Sequence, residues 1–290
     1  MIKALCIGEL LWDVFPDKKV WGGAPVNFIY HIAQFGAEAT AFTAVGNDEL
    51  GKEIVSEAQK SQIKLIAEKV NTPTGVVNIS TNKQGVANYS FNENCAWDHI
   101  PFTDKLKNLS TEADLITFGT LAQRSAVSRK TILKALKFRK AECKVLFDIN
   151  LRQNFYSKEI IETSLNEADF LKLNEEEVQV LYDLLKLNLH EIQKKYKLEL
   201  IILTLGPNGS QVKTIGETYN CLAYPCNIVD TVGAGDSFTA CFIFNYLNGM
   251  SIPESQELAS KVAAYVCEHK GATVPVPERL RHLPAKETTP

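Results

Sequence analysis

Near-continuous apolar runs alternate with stretches of helical period through most of the chain. ALCIGELL (4–11) and ATAFTAVG (39–46) read as early strands. Between them PVNFIYHIAQFG (25–36) reads as a helix, with Pro25 in its first turn and Gly36 as its stop. A further helix is expected near 48–60. Farther along, ADLITFG, KVLFDIN, ADFLKLN and LIILTLG are apolar throughout, as strands buried on both faces should be. Helical stretches separate them, such as 128–140, where Ile132, Leu133 and Leu136 share a face. Two last helices, about 235–248 and 254–269, carry dense apolar faces that include Leu258, Val262, Tyr265 and Val266. The pattern predicts an α/β fold with a mostly parallel sheet and crossover helices.

One segment breaks the alternation. TGVVNISTNKQGVANYSF (74–91) is two β-rich runs around the polar turn Asn82-Lys83-Gln84-Gly85, which reads as a hairpin. Together with 13–22 it is expected to form a small sheet over a site at the strand ends. The expected division is a large α/β domain from 1–12, 23–73 and 98–290, with 13–22 and 74–97 as a β lid.

Composition narrows the ligand chemistry. The 290 residues are 45% hydrophobic and 22% charged, enough for one large core. A net charge of −3 provides no global positive field for nucleic acid or an acidic membrane. An anionic ligand therefore needs local capture by backbone amides, a helix start or a metal ion. The opening apolar run carries Glu9 and Asp13, unlike a signal peptide, and no stretch approaches a membrane span. A cytoplasmic location is expected, with neither nucleic-acid nor membrane partners. Seven cysteines without C-x-x-C spacing read as reduced thiols, and five dispersed histidines offer no metal spacing. The polar stretch 278–290 reads as a disordered tail.

The most informative stretch is DTVGAGDSF (230–238), between a strand-like run and an apolar helix. Glycines before a helix start let the amides of Gly233, Ala234, Gly235 and Asp236 converge on one point, which suits a phosphate. Asp236 sits where it can take a proton from an attacking hydroxyl, or act simply as an N-cap. Asp13 after the first strand and Asn27 in the next helix offer paired acceptor and donor capacity for vicinal hydroxyls, or capping and turn roles. Asn174 to Glu177 ends one strand and opens a helix, where acidic residues commonly complement the helix dipole. Thr204-Leu-Gly206-Pro-Asn-Gly209 reads as a turn that requires no ligand. Arg152, at another strand end, is placed to neutralise phosphate charge.

DTVGAGDSF, with GGAPVNFIYHIAQFGAEATAFTAVGNDELG (22–51) in the expected order, resembles the two signatures of the ribokinase/PfkB carbohydrate kinases. The resemblance implies a three-layer sandwich with a small β-sheet lid, and an ATP-dependent kinase that phosphorylates a primary hydroxyl. It makes Asp236 the catalytic base and Gly233, Ala234 and Gly235 the anion hole, with Arg152 beside them. Asp13, Asn27 and the Gly22-Gly23 pair would contact the sugar. Asn174, Thr204, Gly206 and Gly209 would contact ATP. Glu177 would organise Mg²⁺, mostly through water. Asp230, with Gly271, resembles a monovalent-cation site, K⁺ being the candidate. Ile149 departs from the proline usual in the family, which leaves the path of its loop open.

GELLWD, FGTLAQRS (118–125) and AWDHIPF resemble fructokinase-type members, so D-fructose is the expected acceptor. Arg124 is then a candidate sugar-selecting residue or a helix cap; Phe91 and Trp97 are candidates for stacking on the sugar, lid packing or a dimer contact. A homodimer through the lid is expected. Ribose, 2-keto-3-deoxygluconate, tagatose and adenosine are the alternative acceptors, and a sensor on the same fold is the alternative class. Neither G-x-G-x-x-G after the first strand nor G-x-x-x-x-G-K-[ST] occurs, which disfavours a dinucleotide-binding dehydrogenase and a P-loop kinase.

Overall fold

The computed structural model describes residues 1–61, 63–81 and 87–281. The polar turn expected at 82–85, and the tail beyond 281, lie outside the described residues. The first half of the chain runs β1 (Lys3–Ile7), β2 (Leu11–Val14), β3 (Lys19–Gly22), α1 (Ala24–Gln34), β4 (Glu38–Gly46), α2 (Glu49–Lys60) and β5 (Lys64–Val70). β6 (Gly75–Thr81), β7 (Ala87–Phe91), α3 (Asp104–Glu112), β8 (Leu115–Gly119) and α4 (Ala126–Leu136) follow. Then come β9 (Lys144–Asp148), α5 (Lys158–Glu167), β10 (Phe170–Asn174), α6 (Glu175–Leu185) and α7 (Leu189–Tyr196). The last elements are β11 (Leu200–Thr204), β12 (Ser210–Lys213), β13 (Thr218–Cys221), α8 (Ala234–Leu247) and α9 (Ile252–Cys267).

The large sheet has the order β13-β12-β11-β10-β9-β8-β1-β4-β5. β5 through β11 pair in parallel, and β12 and β13 add an antiparallel edge. Strand alternation explains why these runs are apolar throughout. Leu5 and Ile7 join one core with side chains of α3 to α7, whereas Ala4 and Cys6 join another with α1, α2, α8 and α9. The chain leaves β1 in one direction to β4 and β5 and in the other to β8 and beyond. β1 therefore marks the switch point, and ligands of such sheets bind at the carboxyl ends of the strands there.

A second sheet, β3-β2-β6-β7, stands apart from the first. β2 pairs antiparallel with β3 and parallel with β6, so 13–22 and the hairpin at 74–91 do share one small sheet. The expected first strand, 4–11, is in fact two. At Gly8 an added Cβ would lie 2.6 Å from Pro25 Cγ, and beyond it the chain crosses from the large sheet to the small one. Trp12 ties the small sheet to α2, its indole donating to Leu50 O at 3.1 Å. Among the described residues, no helix is long and apolar enough to cross a membrane.

Candidate active site

Gly233 precedes α8 as its N-cap, and its φ of 79° is the left-handed conformation that glycine adopts without strain. An added Cβ would lie 2.6 Å from Ala272 Cα, so backbone from the end of the fold packs directly against it. The Ser237 amide starts the helical ladder by donating to Gly233 O at 2.8 Å. The preceding amides have no intrahelical acceptor. Ala234 turns its own toward Thr231 O at 3.3 Å, which leaves those of Gly235 and Asp236 as the better anion donors. Beside Gly235 an added Cβ would meet only the end of Lys172, 3.6 Å from Nζ.

Asp236, in that first turn, accepts a hydrogen bond from Asn27 Nδ2 at 2.8 Å. Burial pushes its carboxyl up to about 6, Asp148 pushes the same way, and Lys172, Asn27 and Arg152 pull against them. A carboxylate poised there can accept a proton near neutral pH.

Lys172 is a site residue that sequence reasoning missed. It lies on β10, inside an apolar run, with its ammonium 3.1 Å from Asp148 Oδ1 at the end of β9. Burial alone would discharge it, but Asp148, Glu177 and Asp236 around it raise its affinity for the proton. A buried cation beneath a helix start is a second source of positive potential for an anion. The available signal was the charge itself, since one lysine in a strand covered on both faces needs a partner.

Glu177 and Asn174 form a reciprocal cap at the start of α6. Glu177 N donates to Asn174 Oδ1 at 2.9 Å, and Asn174 N donates to Glu177 Oε2 at 2.8 Å. Glu177 Oε1 also accepts from Leu151 N at 2.8 Å. Each oxygen thus takes one backbone N–H and keeps acceptor capacity for a metal's water, so the pair fits Mg²⁺ held indirectly. Asn174 is in register with Thr204 on β11. Beyond Thr204, Gly206 (φ 54°) and Gly209 (φ 95°) shape the turn into β12, and a Cβ on Gly209 would lie 2.0 Å from Cys221 O.

Of the residues expected at the sugar, Asn27 bonds Asp236 directly, Asp13 lies in the field of Arg152, and Gly23 packs on Glu9. Gly23 has φ 125°, and a Cβ there would lie 2.5 Å from Glu9 O. Burial pushes Asp13 up to about 6, with Arg152 opposing. Glu9, also absent from the expected set, is 1% exposed and has an Oε2 without a partner. Burial pushes it up to about 7, and Arg152, Asp148 and Asp236 all act on it. Three carboxyls therefore share the influence of one exposed guanidinium.

Asp230 accepts from Val232 N at 3.0 Å and from Gly271 N at 2.9 Å, so Asp230 and Gly271 do meet. Among the described residues no three acidic, histidine or cysteine side chains are grouped so that they could hold a metal ion. A monovalent cation here would lean on backbone carbonyls around Asp230. The segment leading to Asp230 exposes Leu222, Tyr224, Ile228 and Val229, an apolar strip that the sequence reading passed over.

Arg124, expected at the sugar, is held in an ion pair, with its Nη1 buried and unpartnered among the described residues. Its guanidinium donates to both oxygens of Asp98 at 2.8 Å and lies over the Trp97 ring at 3.9 Å. Side-chain exposures of 7% and 5% make this a buried ion pair that pins the return from the small sheet. The helix-cap alternative does not hold, because Ser125 caps α4. Trp97 is likewise withdrawn into the core at 1% exposure. Phe91 packs edge-on against Phe155, with centroids 6.0 Å apart.

A family model described as pfkB family carbohydrate kinase matches residues 7–279. A Pyrococcus horikoshii protein named as a sugar kinase is 27% identical over 304 residues, covering 97% of this chain and 96% of its own. Its solved structure in complex with ATP superposes with a TM-score of 0.83 at 26% identity, covering 93% of this chain and 94% of that one. An ATP-dependent 6-phosphofructokinase of Thermoanaerobacterium thermosaccharolyticum is 27% identical over 295 residues, covering 94% and 90%. An Arabidopsis thaliana protein named as a fructokinase is 27% identical over 297 residues, covering 92% of each.

Proposed function

Because this chain belongs to the pfkB family of carbohydrate kinases, we propose that it transfers the γ-phosphoryl group of ATP to a primary hydroxyl of a small neutral sugar, D-fructose foremost. The observation that carries the reading is Asp236. One helix start holds its carboxylate, the open amides of Gly235 and Asp236, and Lys172 beneath them.

In the proposed mechanism Asp13, Asn27 and the backbone at Gly23 hold the sugar hydroxyls. Asp236 accepts the proton as the hydroxyl oxygen attacks phosphorus in line. The amides, Lys172 and Arg152 stabilise the charge on the transferring oxygens. Asn174, Thr204, Gly206 and Gly209 cradle the nucleotide, and the exposed strip from Leu222 to Val229 offers an apolar wall for its base. Mg²⁺, organised through Glu177 by water, would neutralise the phosphates when bound; Asp230 and Gly271 would hold K⁺. The small sheet excludes water from the phosphoryl group. Its edge strands β3 and β7 also favour a homodimer, because open edges seek partners.

Electrostatics favours a neutral acceptor over a phosphosugar or a sugar acid. Glu9, Asp13 and Asp236 all lie in the field of Arg152, so three acidic groups share one guanidinium, and Arg124 is engaged by Asp98. ADP release across fructose, ribose, 2-keto-3-deoxygluconate, tagatose and adenosine, with and without K⁺, tests the reading. Turnover with fructose is the expected result. Turnover with another sugar would correct the acceptor, and silence across the panel with ATP bound would favour a sensor.

A further inference from the structure

The loop that carries Arg152 is fastened at both ends to different parts of the molecule. It leaves β9 through Asn150 (φ 36°) and passes Gln153 (φ 48°), two non-glycine residues in left-handed conformations within four positions. Such residues cost about 1–2 kcal/mol each and persist only where their surroundings hold them. On one side of Arg152, the Leu151 amide is held by Glu177 Oε1 at 2.8 Å, in the floor beside the nucleotide loop. On the other side, Gln153 Nε2 donates to Tyr89 O at 2.7 Å, on the edge strand β7 of the small sheet. Phe155 adds to that attachment by packing on Phe91, also on β7. Its ring also lies 4.6 Å from the Arg124 guanidinium, which clamps Asp98 and Asn92 O in the return from β7. Arg152 is thus the single residue between a floor contact and a lid contact. Among the described residues its own guanidinium makes one hydrogen bond, a short-range one to Leu151 O at 3.2 Å, and is otherwise subject to the longer-range pull of Glu9, Asp13 and Asp236.

We propose that Gln153 is a positioning residue that couples the small sheet to Arg152, so that lid closure sets the guanidinium against the transferring phosphoryl group. The inference rests on the phosphate-facing role given to Arg152 above. With the lid raised, the Gln153–Tyr89 bond is lost and Arg152 is no longer held in place. Phosphoryl transfer is thereby reserved for the closed state, in which the acceptor has displaced water.

A double-mutant cycle on kcat tests this, using whichever panel sugar turns over. Gln153→Met preserves length and removes the donor. It should lower kcat about three- to tenfold, the worth of one hydrogen bond, with KM for ATP held within twofold. In an Arg152→Ala background the same change should cost nothing further. Additive losses, or an unaffected Gln153→Met beside an impaired Arg152→Ala, would overturn the coupling alone. A fully active Arg152→Ala would overturn the role of Arg152 and the coupling with it. A second measurement needs no acceptor: MgATP should slow amide hydrogen exchange across residues 87–91 in the wild type but not in Gln153→Met. Equal protection in both, or protection in neither, would overturn the proposal.

Discussion

The side-chain amide of Asn27 donates to Asp236 Oδ2 at 2.8 Å across a sequence separation of 209 residues. A residue assigned to the sugar and the residue assigned to its proton therefore share one bond. Asn27 stabilises the ionised form of Asp236, whereas burial and Asp148 oppose it.

This sets the pH profile. kcat/KM for the sugar should fall as pH drops through about 6, where Asp236 gains its proton. Asp13 titrates in the same range, so the limb should be steeper than one proton. Asn27→Leu removes the bond that favours the carboxylate and should move the midpoint upward. A midpoint near 4, or one that Asn27→Leu leaves in place, would contradict the assignment of the base.

Asp236→Asn should lower turnover by about 10²–10⁴-fold, the usual worth of a general base, with ATP binding retained. It should also stabilise the fold. Between its ordinary value and about 6, the folded chain keeps a proton on Asp236 that the unfolded chain releases, so stability falls as pH rises through that window. The neutral amide escapes this penalty. Calorimetry at pH 7.5 should show Tm higher by about 2–5 °C, with the gain shrinking as pH approaches 4.

The two glycines of the nest should separate folding from catalysis. Gly233→Ala forces a side chain into a left-handed residue and against the Ala272 backbone, so thermal stability should drop by several degrees. Gly235→Ala meets only the tip of Lys172 and should melt near the wild type. Its methyl group sits between the helix start and the Lys172 ammonium, so ATP turnover should nonetheless fall at least tenfold.

Lys172→Met leaves the partly buried Asp148 without its cation. Breaking such a pair costs about 3–5 kcal/mol, measurable as a lower urea midpoint. Adding Asp148→Asn should recover part of that loss. Activity should stay low in both variants, because the positive potential beneath the nest is gone.

Arg124→Met should destabilise by a similar amount, since it strands Asp98 in the same way. The ranking of neutral against acidic sugars should not change. A changed ranking would restore Arg124 to the acceptor site.

The fold was legible where one physical rule acted alone. Strands covered on both faces must be apolar throughout, and β8 to β11 were visible for that reason. The small sheet was legible because its hairpin broke the alternation. The first strand was not, since both halves of 4–11 are apolar and only the fit of Gly8 against Pro25 separates them. At the site, Gly233 and Asp236 announced themselves through local sequence. Lys172, Glu9 and the Arg124–Asp98 pair did not, because their meaning comes from partners far along the chain. The path around Ile149 was open for a related reason: no glycine marks the turns at Asn150 and Gln153, which tertiary contacts impose.

The packing of Ala272 on Gly233 also imposes an order in time. Ala272 O accepts from the buried His31 at 2.8 Å, so one short loop braces both α1 and the start of α8. During synthesis on the ribosome, α8 and its aspartate emerge first, then all of α9, and only afterwards the residues that brace Gly233. Until Ala272 has been made, the left-handed turn at Gly233 and the buried His31 of α1 both lack the loop that braces them.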